Sequence, residues 1–282
     1  MFDRISRSWT LVKASASVLR DDKELLLFPL ISFASLLVVL ASFAIPAWRL
    51  GVLEGLSHRG HASAGGYLGA FLFYFVQYFV IVFFNAALVG AAMMRLEGGN
   101  PTFKDGLRIA ASRVWVIVGY AAIAATVGTV LRAIQQRVGF IGRIVVGLLG
   151  VAWSIATFLV VPVIVARRDM GPVEAVKQSA YLLRSTWGEN LLGQAGIGAA
   201  FALVYVAIGF CGFFLFMVAG LGHDIHLFVF AVVATLLGLG AAALLHSALS
   251  GIYEAALYRY ATKGESVLGF DADDLRLAFR AK

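Results

Sequence analysis

Of 282 residues, 61% are hydrophobic and only 14% charged, and the mean hydropathy is +0.88, whereas soluble domains carry about 25% charged residues. The chain therefore reads as an integral membrane protein, and its net charge of +7 reports topology before partners and gives no reason to invoke nucleic acid. The single cysteine, Cys211, lies in an apolar run and excludes an intramolecular disulfide.

Residues 1 to 24 read as a surface helix, with Ile5, Trp9, Val12, Ala16 and Leu19 on one face and Ser6, Lys13, Ser17 and Arg20 on the other. Asp21 to Glu24 form a charged hinge into span one, Leu25 to Trp48. About 20 residues cross the hydrocarbon, so this is one crossing. It is too long for a signal-peptide core, and we expect it to be retained rather than cleaved near Ser42-Phe43-Ala44. A loop containing His58 and His61 leads to span two, Tyr67 to Met94, which carries Gln77 and Asn85.

After Pro101, a short surface helix precedes span three, Val114 to Leu131, and Arg132, Arg137 and Arg143 flank the return into span four, Ile144 to Ala166. Pro162 inside that span is tolerated where a neighbouring helix or water satisfies the freed carbonyl. Arg167-Arg168 close the hairpin. The stretch Gly171 to Leu192 then predicts an amphipathic helix, with Pro172 suited to its first turn and Glu174 near its positive end. Val173, Val176, Ala180, Leu183 and Trp187 recur at helical spacing, while Lys177, Gln178, Tyr181 and Arg184 face elsewhere, as expected of a helix lying on a membrane surface.

Span five runs from Leu191 to Val218 and contains Gln194, and the loop Ala219 to His226 has no Lys or Arg. The last apolar run, Leu227 to Tyr258, exceeds one crossing and must tilt, break near Gly251, or continue beyond the membrane. In the tail, Asp271, Asp273 and Asp274 read as helix caps ahead of Leu275, Leu277 and Phe279.

The surface helices resemble one another. Val12, Lys13, Ser15, Ala16, Leu19 and Arg20 align with Val176, Lys177, Ser179, Ala180, Leu183 and Arg184, six identities in nine positions, and Gly106, Leu107, Arg108, Ala110 and Ala111 leading into Trp115 form a weaker third copy. Each copy precedes two spans. The expected architecture is an all-α polytopic bundle of six transmembrane helices in three parallel helix-hairpin units, 1–94, 95–166 and 167–258, within one domain, 1–258, followed by a tail, 259–282. Eighteen Lys and Arg fall on the side of both termini and five on the other, which places the termini in the cytoplasm of a bacterial plasma (inner) membrane.

Three groups of residues are candidate sites. Lys13, Arg20, Arg108, Lys177 and Arg184 sit where anionic headgroups or a partner protein would meet the surface helices. Within the membrane the polar residues include Gln77, Asn85 and His246, with Glu254 at the inner edge. His246 is best suited to a helix-to-helix hydrogen bond, because a coupled transporter needs ionisable groups at the midplane that are scarce here. Externally, His58, His61, His223, Asp224 and His226 offer nitrogen and oxygen ligands for a divalent cation such as zinc. No serine or cysteine nucleophile with a matching base and no paired carboxylates stand out, so neither an enzyme nor a cofactor is expected. Pairs such as Gly65 and Gly69, Gly196 and Ala200, Gly198 and Ala202, and Gly238 and Ala242 point to close helix packing.

The segments SRSWTLVKASASVLRDDKELLLFPLIS and ALYRYATKGESVLGFD resemble a bacterial family of six-span membrane proteins known only as a domain of unknown function, with the likeness expected along the whole chain. PVEAVKQSAYLLRSTWGENLLG is more loosely similar to the surface-helix pattern in the membrane domain of some glycerophosphodiester phosphodiesterases, whose catalysis resides on a separate soluble domain. The resemblance implies a membrane module and supplies no catalytic residues. The expected function is a non-enzymatic module that binds lipid, a protein partner or a second copy of itself through the cytoplasmic helices. The alternatives are a transporter or channel and external metal binding.

Overall fold

The computed structural model describes residues 2–49, 64–185, 190–222 and 224–263, with side chains over 12–49, 68–184, 197–222 and 224–262. All regular structure among them is helical: α1 (Phe2–Asp21), a 3-10 turn (Lys23–Leu26), α2 (Leu27–Arg49), α3 (Ala64–Leu96), α4 (Phe103–Ser112), α5 (Val114–Arg137), α6 (Phe140–Ala156), α7 (Val160–Ala166), α8 (Pro172–Ser185), α9 (Asn190–Gly222) and α10 (Ile225–Lys263). Six stretches are long and apolar enough to cross a membrane: Lys23–Arg49, Leu68–Leu96, Val114–Arg137, Phe140–Ala166, Ile197–Gly222 and Ile225–Thr262. The protein is thus a multi-pass helical membrane protein. Arg132, Arg137 and Arg143 lie within α5 and α6, separated only by Val138 and Gly139. The long final run neither breaks at Gly251 nor stops at Tyr258, and α10 continues for 39 residues, roughly 58 Å against a hydrocarbon core of about 30 Å.

Two compact units interleave along the sequence. The first comprises Met1–Leu26, Ala92–Asn100 and Thr186–Lys282, and the second Leu27–Ala91 and Pro101–Ser185. In the first, α1 packs against α9 and α10, which also pack on each other. Ala14, Ser15, Val18 and Leu19 form the buried face of α1, and Leu25 follows it with 1% exposure. Arg259, from the end of α10, donates to the Met93 carbonyl and pairs with Glu97 at 3.0 Å, holding the chain just before the left-handed Gly98 (φ 85°).

In the second unit α4 is started by Thr102. Its hydroxyl accepts from the Asp105 N–H while the Asp105 carboxylate accepts from the Thr102 N–H, so two otherwise free donors are satisfied. This helix lies so close to α3 that only glycine fits at the contact: a Cβ at Gly106 would stand 2.8 Å from the Ala87 carbonyl oxygen, and one at Gly90 2.8 Å from Ile109. The ring of Phe28 packs on Phe103 beside it, tilted by 33° with centroids 4.9 Å apart.

The fourth span is two helices, α6 and α7, with Thr157, Phe158 and Leu159 between them. Pro162 in the first turn of α7 removes a donor where a continuous helix needs one. Ser179, fully buried on α8, mends the break: its hydroxyl donates to the Ala156 carbonyl at 2.7 Å and accepts from the Leu159 N–H at 3.0 Å. A neighbouring helix thus satisfies two of the backbone groups left at the break, the Ala156 carbonyl and the Leu159 N–H.

Helix α8 packs against α5, α6 and α7. Its most buried residues are Ala175, Ser179, Leu182 and Leu183; of the stripe that periodicity selects, Leu183 is buried, Val176 and Ala180 are half-buried and Val173 is exposed. The reason is that α8 is docked on protein by one side, where Ala175 and Ser179 allow close approach and Leu182 and Leu183 fill the contact, and it leaves Val173 and Tyr181 outward.

Candidate functional site

The outward sides of α4 and α8 lie at one end of the second unit. That placement is fixed by Arg113, immediately after α4, whose guanidinium donates to the carbonyls of Ile164, Arg167, Arg168 and Met170 at 2.7–3.1 Å, gathering the chain between α7 and α8. Pro172 then packs on Gly119 of α5.

On α4, Lys104 and Arg108 lie one turn apart and are exposed, and Trp115 at the start of α5, beyond the break at Arg113, is 83% exposed. Arg108 reaches Asp105 at 3.4 Å, but its side chain is 80% exposed and the pair leaves its charge largely available. The Asp105 carboxyl is held below the usual carboxylate range by the Thr102 hydroxyl and N–H, so it is a fixed anion of the helix start. On α8, Val173, Lys177, Tyr181 and Arg184 form one outward stripe. Lys13 and Arg20 are likewise exposed on α1. All five cations expected at headgroups or partners therefore project from their helices. Lys104, Trp115 and Tyr181 join them; periodicity puts Tyr181 with Lys177 and Arg184, Trp115 follows the weaker third copy, and Lys104 carries no pattern that distinguishes it from a helix-start residue.

The intramembrane polar residues are dispersed. Gln77 and Asn85 are half-buried on α3, and Glu254 is half-buried on α10. His246 on α10 stacks on Phe201 with ring centroids 4.6 Å apart, and its Nδ1 lies 3.3 Å from the Tyr205 hydroxyl, both on α9. It bridges the two helices by a hydrogen bond in an aromatic setting.

Of the proposed metal ligands, His58, His61 and His223 lie outside the described residues, as do the tail aspartates Asp271, Asp273 and Asp274; Gln194 and Gly65 are described by their backbone alone. Asp224 Oδ1 accepts from the His226 and Leu227 N–H groups and caps α10, while His226 is exposed. Among the described residues no three His, Cys, Asp or Glu side chains converge. Of the small-residue pairs, Gly238 packs near Ile208 whereas a Cβ at Gly198 would meet open space.

Three working residues carried no sequence signal of their role. Arg113 reads as one more topology charge, Ser179 as a repeat position, and Arg132, whose guanidinium stands 5.5 Å over the Tyr74 ring, as a loop cation.

Comparison with curated proteins finds no match, and the looser likeness to glycerophosphodiester phosphodiesterases gains no support. A family model described as a family of unknown function, DUF6159, matches residues 64–269, leaving the opening motif outside it and most of the closing one inside. With that match spanning well over half of its length, the chain belongs to the DUF6159 family.

Proposed function

We propose that the protein is a non-enzymatic module of the bacterial plasma membrane whose surface helices bind anionic lipid headgroups on the cytoplasmic leaflet. The observation that carries this is the exposed set Lys104, Arg108 and Trp115 together with the outward stripe Val173–Lys177–Tyr181–Arg184, at one end of the second unit. Cations interleaved with exposed aromatic rings match the depth at which headgroups sit, the rings at the interface and the charges at the phosphates. Each cation contributes about 1 kcal/mol near an anionic surface, so these four give roughly 3–4 kcal/mol, with Arg108 at the low end because Asp105 faces it.

The bias of Lys and Arg toward the side of both termini supports the cytoplasmic assignment. The three-unit reading is supported by register: Ser15, Ala110 and Ser179, which align among the three surface helices, are each fully buried. A transport reading draws on the broken fourth span, but there Ser179 closes the break with protein groups.

The test is thermal unfolding of the full chain in nanodiscs of phosphatidylcholine with and without phosphatidylglycerol. Anionic lipid should stabilise the wild type, less so at high salt, and K104Q/R108Q/K177Q/R184Q should lose most of that gain. An equal gain in the variant would sink the proposal.

A further inference from the structure

The second unit contains a cavity of about 320 Å³ at the end of α5 remote from α4, between α3, α5 and α6. That is near the lower limit of ligand pockets, roughly 300–1,000 Å³. Its exposed end is polar, with Arg132 and Gln135, and the rest is lined by the Tyr74 and Tyr78 rings, Ala125, Thr129 and Val146.

Two features make this a seat rather than a packing flaw. Gly147 and Gly150 line its α6 wall, and a Cβ at either would meet nothing within 4 Å, so this wall is open where side chains would fill it. Opposite them, Gly128 faces the Tyr78 hydroxyl at ordinary contact distance. From Gln135 to Ala125 is ten residues of α5, about 15 Å, which is half of the roughly 30 Å hydrocarbon core. The cavity is as deep as one leaflet.

The mouth favours an anion. Arg132 lies over the Tyr74 ring and has no carboxylate partner among the described residues, and Arg137 and Arg143 are exposed nearby in sequence. Between Asp105 and Asp169 the chain contains no Asp or Glu. A guanidinium matches a phosphate with two parallel hydrogen bonds, and the ring beneath Arg132 fixes its position.

We propose that this cavity seats one anionic glycerophospholipid from the leaflet opposite α4 and α8, with one acyl chain along Gly147 and Gly150 and the phosphate on Arg132. The site is separate from the headgroup surface proposed above and does not depend on it.

The test is native mass spectrometry of the delipidated full chain in detergent, titrated with phosphatidylglycerol, phosphatidylcholine or oleate. Wild type should retain one phosphatidylglycerol in preference to phosphatidylcholine. R132Q should weaken retention about tenfold, as expected for losing a charge-assisted pair, and R132K less so. G147L/G150L should abolish it by filling the seat, with G150L alone as the milder version should the double variant fold poorly. K104Q/R108Q/K177Q/R184Q should retain the lipid as wild type does, which separates this result from the headgroup proposal. Unchanged retention in both R132Q and the leucine variants would overturn the assignment, as would equal retention of phosphatidylcholine. Oleate bound more tightly than phosphatidylglycerol with the same dependence on Arg132 would also overturn it, by placing a free carboxylate in the site.

Discussion

Replacing Ser179 by alanine removes both hydrogen bonds that span the gap between α6 and α7. The Leu159 N–H then has no partner, since the neighbouring Phe158 and Val160 N–H groups already use the Ile155 and Thr157 carbonyls, and Leu159 itself is fully buried. The Ala156 carbonyl is stranded as well. Hydrogen bonds between membrane helices average about 0.6 kcal/mol, up to about 1.7, whereas stranding a buried group costs about 1–3 kcal/mol. With two groups and no alternative partner, the loss should be about 2 kcal/mol, roughly thirtyfold in the unfolding equilibrium. Ser15 is the aligned residue on α1, also fully buried, yet its hydroxyl has no partner among the described residues. S15A should therefore be neutral or stabilising by up to about 1 kcal/mol, because it removes a desolvated hydroxyl that gains nothing in return. The assay is reversible unfolding in mixed micelles, with both variants beside wild type. A cost for S15A equal to that of S179A would refute the reasoning, for it would mean that burial of a small polar residue, and not the bridged break, sets the energy.

R113K keeps the charge but cannot reach the carbonyls of Ile164, Arg167, Arg168 and Met170 together; it should cost about 2 kcal/mol in the same assay and increase proteolysis near residues 167–171. G106A places a methyl group against the Ala87 carbonyl and the Phe28 ring and should cost about 1–3 kcal/mol by overpacking. G69A, with nothing near its Cβ, should be tolerated. Asp22 is buried beside α1, with Oδ2 unpartnered and Oδ1 accepting from the Glu24 N–H. Burial pushes its carboxyl above the usual range, Arg95 and the Glu24 N–H oppose this, and the Glu24 charge adds to it. The folded state thus prefers the protonated form: the contribution is present below the ordinary carboxylate value of about 4 and is lost as pH rises through the raised one. Unfolding measured across that window should show a falling component in wild type that D22N lacks.

The six crossings and the start of α8 are legible in the sequence because run length and Pro172 mark them directly, whereas the end of α8 is not: periodicity carries the helix to Leu192, and α8 runs to Ser185. Nor is the orientation of α8. In a soluble protein an apolar stripe marks the core, but lipid is as apolar as a protein interior, so Val173 and Tyr181 face outward while Ala175 and Ser179 pack inward. The break in the fourth span is half-legible: Pro162 announces a disturbance, but only the fold brings Ser179 to it from 20 residues beyond Leu159. Arg113 and Arg132 illustrate a further limit. Each counts once in a charge tally, whereas one clamps four carbonyls and the other overhangs a tyrosine ring. Charge counting reports which side a residue is on and nothing of what it touches.

The interleaving of the two units bears on how the protein is made. α1 leaves the ribosome well before the helices it packs against, α9 and α10: α1 ends at Asp21 and α9 begins at Asn190, 169 residues on. At about 5–20 residues per second that interval is roughly 8–35 s. During it Ala14, Val18 and Leu19 have no native surface to cover them, and the bilayer or an insertion factor must shelter them until α9 and α10 arrive.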